Sequence, residues 1–98
     1  MDEIIVGDNG TILEGIVNDE EGVVDVRGAD VLFIIKSATT RIEKNGIVTD
    51  GLNGVIQCTL DSDDVKEIGS YSFQANIKFI DGKSFSTDIQ KFKVGRKL

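Results

Sequence analysis

The sequence contains no histidine, no proline and no tryptophan, and it has a single cysteine. Without histidine the usual general base is missing, and with it the dyads and triads built on imidazole. The lone Cys58 has no partner for a disulfide within the chain. A domain this small that folds without disulfides suits a reducing compartment, or a particle assembled in one. The lack of proline removes one means of blunting exposed sheet edges, so charged side chains have to serve there. No apolar run approaches the roughly 20 residues of a membrane-spanning helix. The acidic opening Met1-Asp2-Glu3 lacks the basic start and long apolar stretch of a secretion signal. No membrane partner is expected.

At 98 residues the chain has the length of one domain. Its 40% apolar and 29% charged content suits a folded globular chain, not a disordered one. Lysines and arginines number 11 against 17 acids, a formal charge of −6. That balance argues against nucleic acid as a partner, since phosphate contacts need clustered bases. The charge is also unevenly placed. Residues 1–26 hold eight acids (Asp2, Glu3, Asp8, Glu14, Asp19, Glu20, Glu21, Asp25) and no base. Residues 83–98 hold Lys83, Lys91, Lys93, Arg96 and Lys97 against Asp88 alone. The first and last strands lying side by side would offset these charges. An acidic and a basic pole would instead steer copies or partners together.

Period-two patterning dominates. From Tyr71 to Phe79 the apolar residues Tyr71, Phe73, Ala75, Ile77 and Phe79 alternate with Ser72, Gln74, Asn76 and Lys78. A half-buried strand needs that alternation, and a helix cannot use it. Ile56, Cys58 and Leu60 alternate in the same way, and Val31 to Ile35 is apolar on both faces, as in a central strand. Thr11 to Asn18 and Val23 to Arg27 are further candidates. Turn signals recur at Gly7-Asp8-Asn9-Gly10, Asp19 to Gly22, Asn45-Gly46, Asp50-Gly51, Asn53-Gly54 and Asp81-Gly82. About seven short strands so punctuated predict an all-β fold, an immunoglobulin-like antiparallel β-sandwich with Greek-key topology. The whole of 1–98 is expected to form that single domain.

The last hairpin can be read in register. A loop of Ile80-Asp81-Gly82, with Gly82 left-handed, puts Phe85 opposite Ile77 and Ile89 opposite Phe73, both facing inward. The apolar phase then shifts to Phe92 and Val94, which predicts a second bulge near Gln90-Lys91. Only Asp61 to Ile68 offers a helical turn, capped by Asp61 or Ser62.

Little in the chain carries chemistry. Cys58 is in phase with Ile56 and Leu60, a core position and not a nucleophile's. Asp61-Ser62-Asp63-Asp64 lacks the glycine and distant glutamate of an EF-hand loop. Tyr71 and the five phenylalanines all fall on phases the core can claim, leaving no platform for a sugar. Asn9-Gly10-Thr11 matches a glycosylation sequon without a secretory context to support it. No catalytic residue, metal site or cofactor is therefore expected. The singled-out residues are structural. Gly69-Ser70-Tyr71 resembles the tyrosine corner of Greek-key sandwiches, whose hydroxyl bonds back to upstream backbone. Phe73 is expected in the core, and Gly82 at the turn.

Several segments together resemble the N-terminal domain of phage baseplate upper proteins, found in phages and prophages of Gram-positive bacteria. They are Gly7-Asp8-Asn9 before the first long strand, Asp30 to Lys36, Ile68-Gly69-Ser70-Tyr71-Ser72-Phe73-Gln74-Ala75, and the closing Asp81 to Asp88 running on to Val94. The resemblance implies a non-enzymatic virion structural module, the N-terminal part of a longer tail protein. It would dock that protein, with its receptor-binding elements, onto the baseplate through protein–protein contacts. The partners implied are baseplate hub and receptor-binding or tail-fibre proteins, with copies of the chain itself as a further candidate. The location implied is the tail baseplate of the virion, assembled in the bacterial cytoplasm. The alternatives are an immunoglobulin-like spacer or adhesion domain of a bacterial surface protein, and a carbohydrate-binding module or small hydrolase.

Overall fold

The computed structural model describes residues 3–6 and 10–96. The strands in chain order are β1 (Glu3–Ile5), β2 (Thr11–Ile16), β3 (Asn18–Asp19), β4 (Gly22–Val23), β5 (Asp30–Lys36) and β6 (Arg41–Asn45). They continue with β7 (Ile47–Asp50), β8 (Val55–Leu60), β9 (Gly69–Lys78), β10 (Ser84–Ser86) and β11 (Gln90–Gly95). Seven of them, β2, β5, β6, β7, β8, β9 and β11, have four residues or more. The larger sheet runs β1-β11-β9-β5-β6, with β10 pairing the end of β9 that β11 leaves free. The smaller sheet runs β2-β8-β7, and β3 and β4 form a separate hairpin. All pairings are antiparallel except β1 with β11.

This is an immunoglobulin-like sandwich. β2, β8 and β7 stand where strands B, E and D do, and β5, β9 and β11 where C, F and G do. β6 extends the second group as C′ does. Among the described residues, no strand takes the place of A beside β2. The inward positions of both sheets meet in one core: Leu13, Ile56, Cys58 and Leu60 from the smaller sheet face Val31, Phe33, Ile35, Phe73, Ala75 and Ile77 from the larger. No polar or charged residue is buried among the described residues. Each fully buried Ile, Leu, Val or Phe contributes about 1.5–3 kcal/mol of transfer free energy. With no cross-sheet disulfide, this apolar contact is what joins the two sheets.

Aromatic rings thread that core. Phe33 stacks on Phe73 at 6.0 Å between ring centroids, Phe73 tilts against Phe92 at 5.9 Å, and Phe92 stacks on Tyr71 at 5.3 Å. The inward phases of β8 and β9 are those the alternation predicts, with Tyr71, Phe73, Ala75 and Ile77 all buried.

Other expectations need correction. The strand expected over Thr11 to Asn18 breaks at Val17, whose amide donates to Gly54 and whose carbonyl accepts from Val24. Of the strand expected over Val23 to Arg27 only Val23 is strand, as the end of β4, because Val26 turns into the core and its amide donates to the Gly51 carbonyl. The Asp61 to Ile68 crossing has a tight turn at Asp61–Asp64 and no helix. The short helix is a 3₁₀ turn at Gly51–Asn53. Asn45-Gly46 is not a hairpin turn. At Gly46 the chain leaves the edge of one sheet as β6 and joins the edge of the other as β7. The expected turn at Gly7-Asp8-Asn9 and the sequon asparagine Asn9 lie outside the described residues.

In the last hairpin, Phe85 stands opposite Ile77 and Ser84 opposite Lys78, as a three-residue loop requires. The Gly82 amide donates to Phe79, and Phe79 donates to Lys83. The second bulge falls earlier than predicted. Ser86 pairs with Asn76 and Gln90 with Phe73, so the extra residue lies within 87–89. There the Thr87 hydroxyl accepts from the Ala75 amide at 2.9 Å, filling the gap in the ladder. Because the bulge comes early, Ile89 is 64% exposed and not inward. Phe85 is 42% exposed as well, its ring set edge-on to Phe79 at 5.6 Å.

Candidate functional site

The residues singled out from sequence gather on β9 and its two ends. Tyr71 lies near the start of the strand, its ring buried and its hydroxyl donating to the Glu67 carbonyl at 2.8 Å. That bond joins the β8–β9 crossing to the core, the geometry of a tyrosine corner. Gly69 opens the strand with φ at +137°, a region that side-chain-bearing residues avoid. Phe73 sits two residues past Tyr71, in the middle of the aromatic chain. Gly82 has φ at +92° at the far hairpin, so these residues do not converge on one pocket. Tyr71→Phe should lower stability by about 1 kcal/mol, read by chemical denaturation, since a buried hydroxyl bond is lost and its carbonyl left short. An unchanged midpoint would mean that the bond contributes nothing.

The acidic turn is occupied from within. Asp64 accepts from the Asp61 amide at 2.6 Å, and Lys44 Nζ donates to Asp64 at 2.5 Å and to Asp61 at 3.4 Å. Burial of the Lys44 ammonium works against its charge, but Asp64 and then Asp61 outweigh it, so its pKa lies above the ordinary lysine value. Among the described residues, no group of three or more His, Cys, Asp or Glu side chains could hold a metal ion.

The Cys58 thiol is 2% exposed, and burial pushes its pKa up, with Lys44 opposing. A thiol so placed is a poor nucleophile. In the native domain Cys58 should react with iodoacetamide at least about tenfold more slowly than in denaturant. Equal rates would place it at the surface.

The surface carries more than the sequence reading found. Lys91, Ser72, Lys36 and Arg41 are consecutive partners across β11, β9, β5 and β6, so three bases share one row on the outer face of the larger sheet. Arg41 is paired to Glu43 at 2.7 Å. The acids Asp19, Glu20 and Glu21 sit apart, on the β3–β4 hairpin. β1 and β11 do lie side by side, yet most of the described acids of the first 26 residues are elsewhere. Lys36 and Arg41 escaped notice because sequence distance hid their alignment with Lys91.

A concavity of about 900 Å³ opens where β5 begins and β9 ends, and Leu32, Asn45, Asn76, Lys78 and Phe85 are among the residues lining it. The exposed ring of Phe85 corrects the expectation that every aromatic is taken by the core. Two smaller depressions, about 340 and 250 Å³, lie between β2 and residues 86–92.

No protein-family model matches the chain, and no curated protein matches its sequence. Solved structures do match. The fold is similar to the N-terminal domain of phage TP901-1 ORF48, with a TM-score of 0.76 and 14% identity over 96% of this chain and 83% of that one. It is also similar to part of a putative glycoside hydrolase from Bacteroides vulgatus, with a TM-score of 0.59 and 9% identity. There the match covers 99% of this chain but only 17% of the hydrolase. What these likenesses establish is the fold: an immunoglobulin-like sandwich that follows the phage domain along nearly its whole length.

Proposed function

We propose that this domain is a non-enzymatic structural module of a phage tail, docking a protein with receptor-binding elements onto the baseplate through protein–protein contacts. The observation that carries the reading is the match over 96% of the chain to the N-terminal domain of ORF48 of phage TP901-1. The chemistry of the surface supports it. Arg27 with Asp25, Arg41 with Glu43 and Lys44 with Asp64 form local ion pairs, and the one cysteine is buried. The match to a small part of a glycoside hydrolase shows the same sandwich within a much longer chain. It does not bring that protein's activity with it. In this reading the domain is the N-terminal module of a longer protein, it is assembled in the bacterial cytoplasm, and it works in the virion.

The test is a pull-down with the tagged domain from lysate of a prophage-induced host, read by mass spectrometry. Enrichment of tail or baseplate proteins is the expected result. Recovery of cell-wall components alone would instead support an immunoglobulin-like spacer in a surface protein.

A further inference from the structure

The edges of the two sheets are not treated alike. β6 carries Arg41, Glu43 and Lys44, charged side chains of the kind that discourage further pairing. β7 is broken by a register shift between Val48 and Asp50. β2 has neither protection. Its six residues pair with β8 one to one without a bulge, and its only charge is Glu14.

Its free side can be assigned atom by atom. The Val17 amide donates to the Gly54 carbonyl, which continues the β2–β8 register. In an antiparallel ladder, alternate residues bond the partner and those between point away. The backbone N–H and C=O groups of Ile12, Glu14 and Ile16 therefore face outward, and among the described residues β2 pairs with β8 alone. In an immunoglobulin sandwich this is the place of strand A. The two smaller depressions run along the same edge and share Glu14 and Gln90. One end sets Ile12, Leu13, Phe73 and Phe92 beside Lys91, while Asp88 joins Glu14 at the other. Ile12 and Ile16 remain 46% and 48% exposed.

We propose that the open edge of β2 is a strand-addition site for an extended segment of a partner protein, one with a basic residue set between apolar ones. Main-chain bonds to Ile12, Glu14 and Ile16 supply the affinity, and the depressions read alternate side chains. Glu14 and Asp88 select the base. A second copy is the poorer occupant, because β2 against β2 brings Glu14 near its own equivalent on chains that each carry −6. The inference deepens the docking reading and rests on it for taking this surface as functional.

Hydrogen exchange tests it, using a short synthetic peptide that alternates valine and threonine around one central lysine. The amides of Ile12, Glu14 and Ile16 should slow by about tenfold or more on binding, while those of β8 stay as they were. A peptide with glutamate in place of the lysine should bind at least about fivefold more weakly. Ile12→Pro should abolish binding without unfolding the domain, since the lost N–H points away from β8. No protection at these amides, or protection only elsewhere, overturns the proposal. A concentration-dependent dimer protecting the same amides assigns the edge to a second copy and also overturns it. The pull-down separates the two readings. Tail proteins captured equally by wild type and Ile12→Pro would leave docking standing and remove the edge. Peptide binding with no tail protein captured would do the reverse.

Discussion

Phe73→Ala is expected to cost about 3–5 kcal/mol, the range for deleting a buried phenylalanine. At roughly 4–8 °C per kcal/mol for a domain this size, the melting temperature should fall by at least about 12 °C. The reason is position as much as size. Phe73 stacks on Phe33 of β5 and tilts against Phe92 of β11, so one ring ties three strands. In antibody domains the position two residues past the corner tyrosine holds half of the cross-sheet disulfide. Here an aromatic ring stands there, in a chain with no disulfide to share the load. Chemical denaturation of the variant gives the value, and Phe73→Leu, which keeps most of the apolar volume, should retain the fold at a smaller loss. A loss below about 1 kcal/mol for alanine would mean that the ring is not closely packed.

Gly46→Ala should destabilise by about 2–3 kcal/mol through overpacking. A methyl group at Gly46 would lie 2.7 Å from the Phe33 ring and 2.9 Å from the Gln57 carbonyl oxygen. Phe33 is fully buried and cannot swing aside, and the carbonyl belongs to the middle of β8. The cost is steric, because Gly46 is not among the glycines with positive φ. Gly82→Ala differs in kind: its φ is +92° but the space around it is open, so backbone strain alone acts. A double-mutant cycle of Gly46→Ala with Phe33→Leu should show coupling, the second change recovering part of the first. Additive losses would mean that the crossing has room for a side chain.

The strand faces were legible from the residues because the signal is local. Tyr71, Phe73, Ala75 and Ile77 alternate with polar neighbours, and a period of two permits one burial pattern. The Phe85–Ile77 register followed from loop length in the same local way. Ile89 was misplaced because the bulge beside Thr87 depends on a hydroxyl reaching the Ala75 amide across the sheet. Asn45-Gly46 was misread for a related reason. The dipeptide favours a turn, but Gly46 answers to the ring of Phe33 and the backbone of β8.

What the sequence determined by itself was the architecture: alternation, turn spacing and the lack of a disulfide specify a sandwich held by its apolar core. The tertiary structure alone decided the surface. Lys36, Arg41 and Lys91 became one row only when β11, β9, β5 and β6 paired, and Ile12, Glu14 and Ile16 were left with outward backbone groups because, among the described residues, β2 pairs with β8 alone. Burial periodicity is written in adjacent residues, whereas open edges and charge rows depend on which distant strands become neighbours.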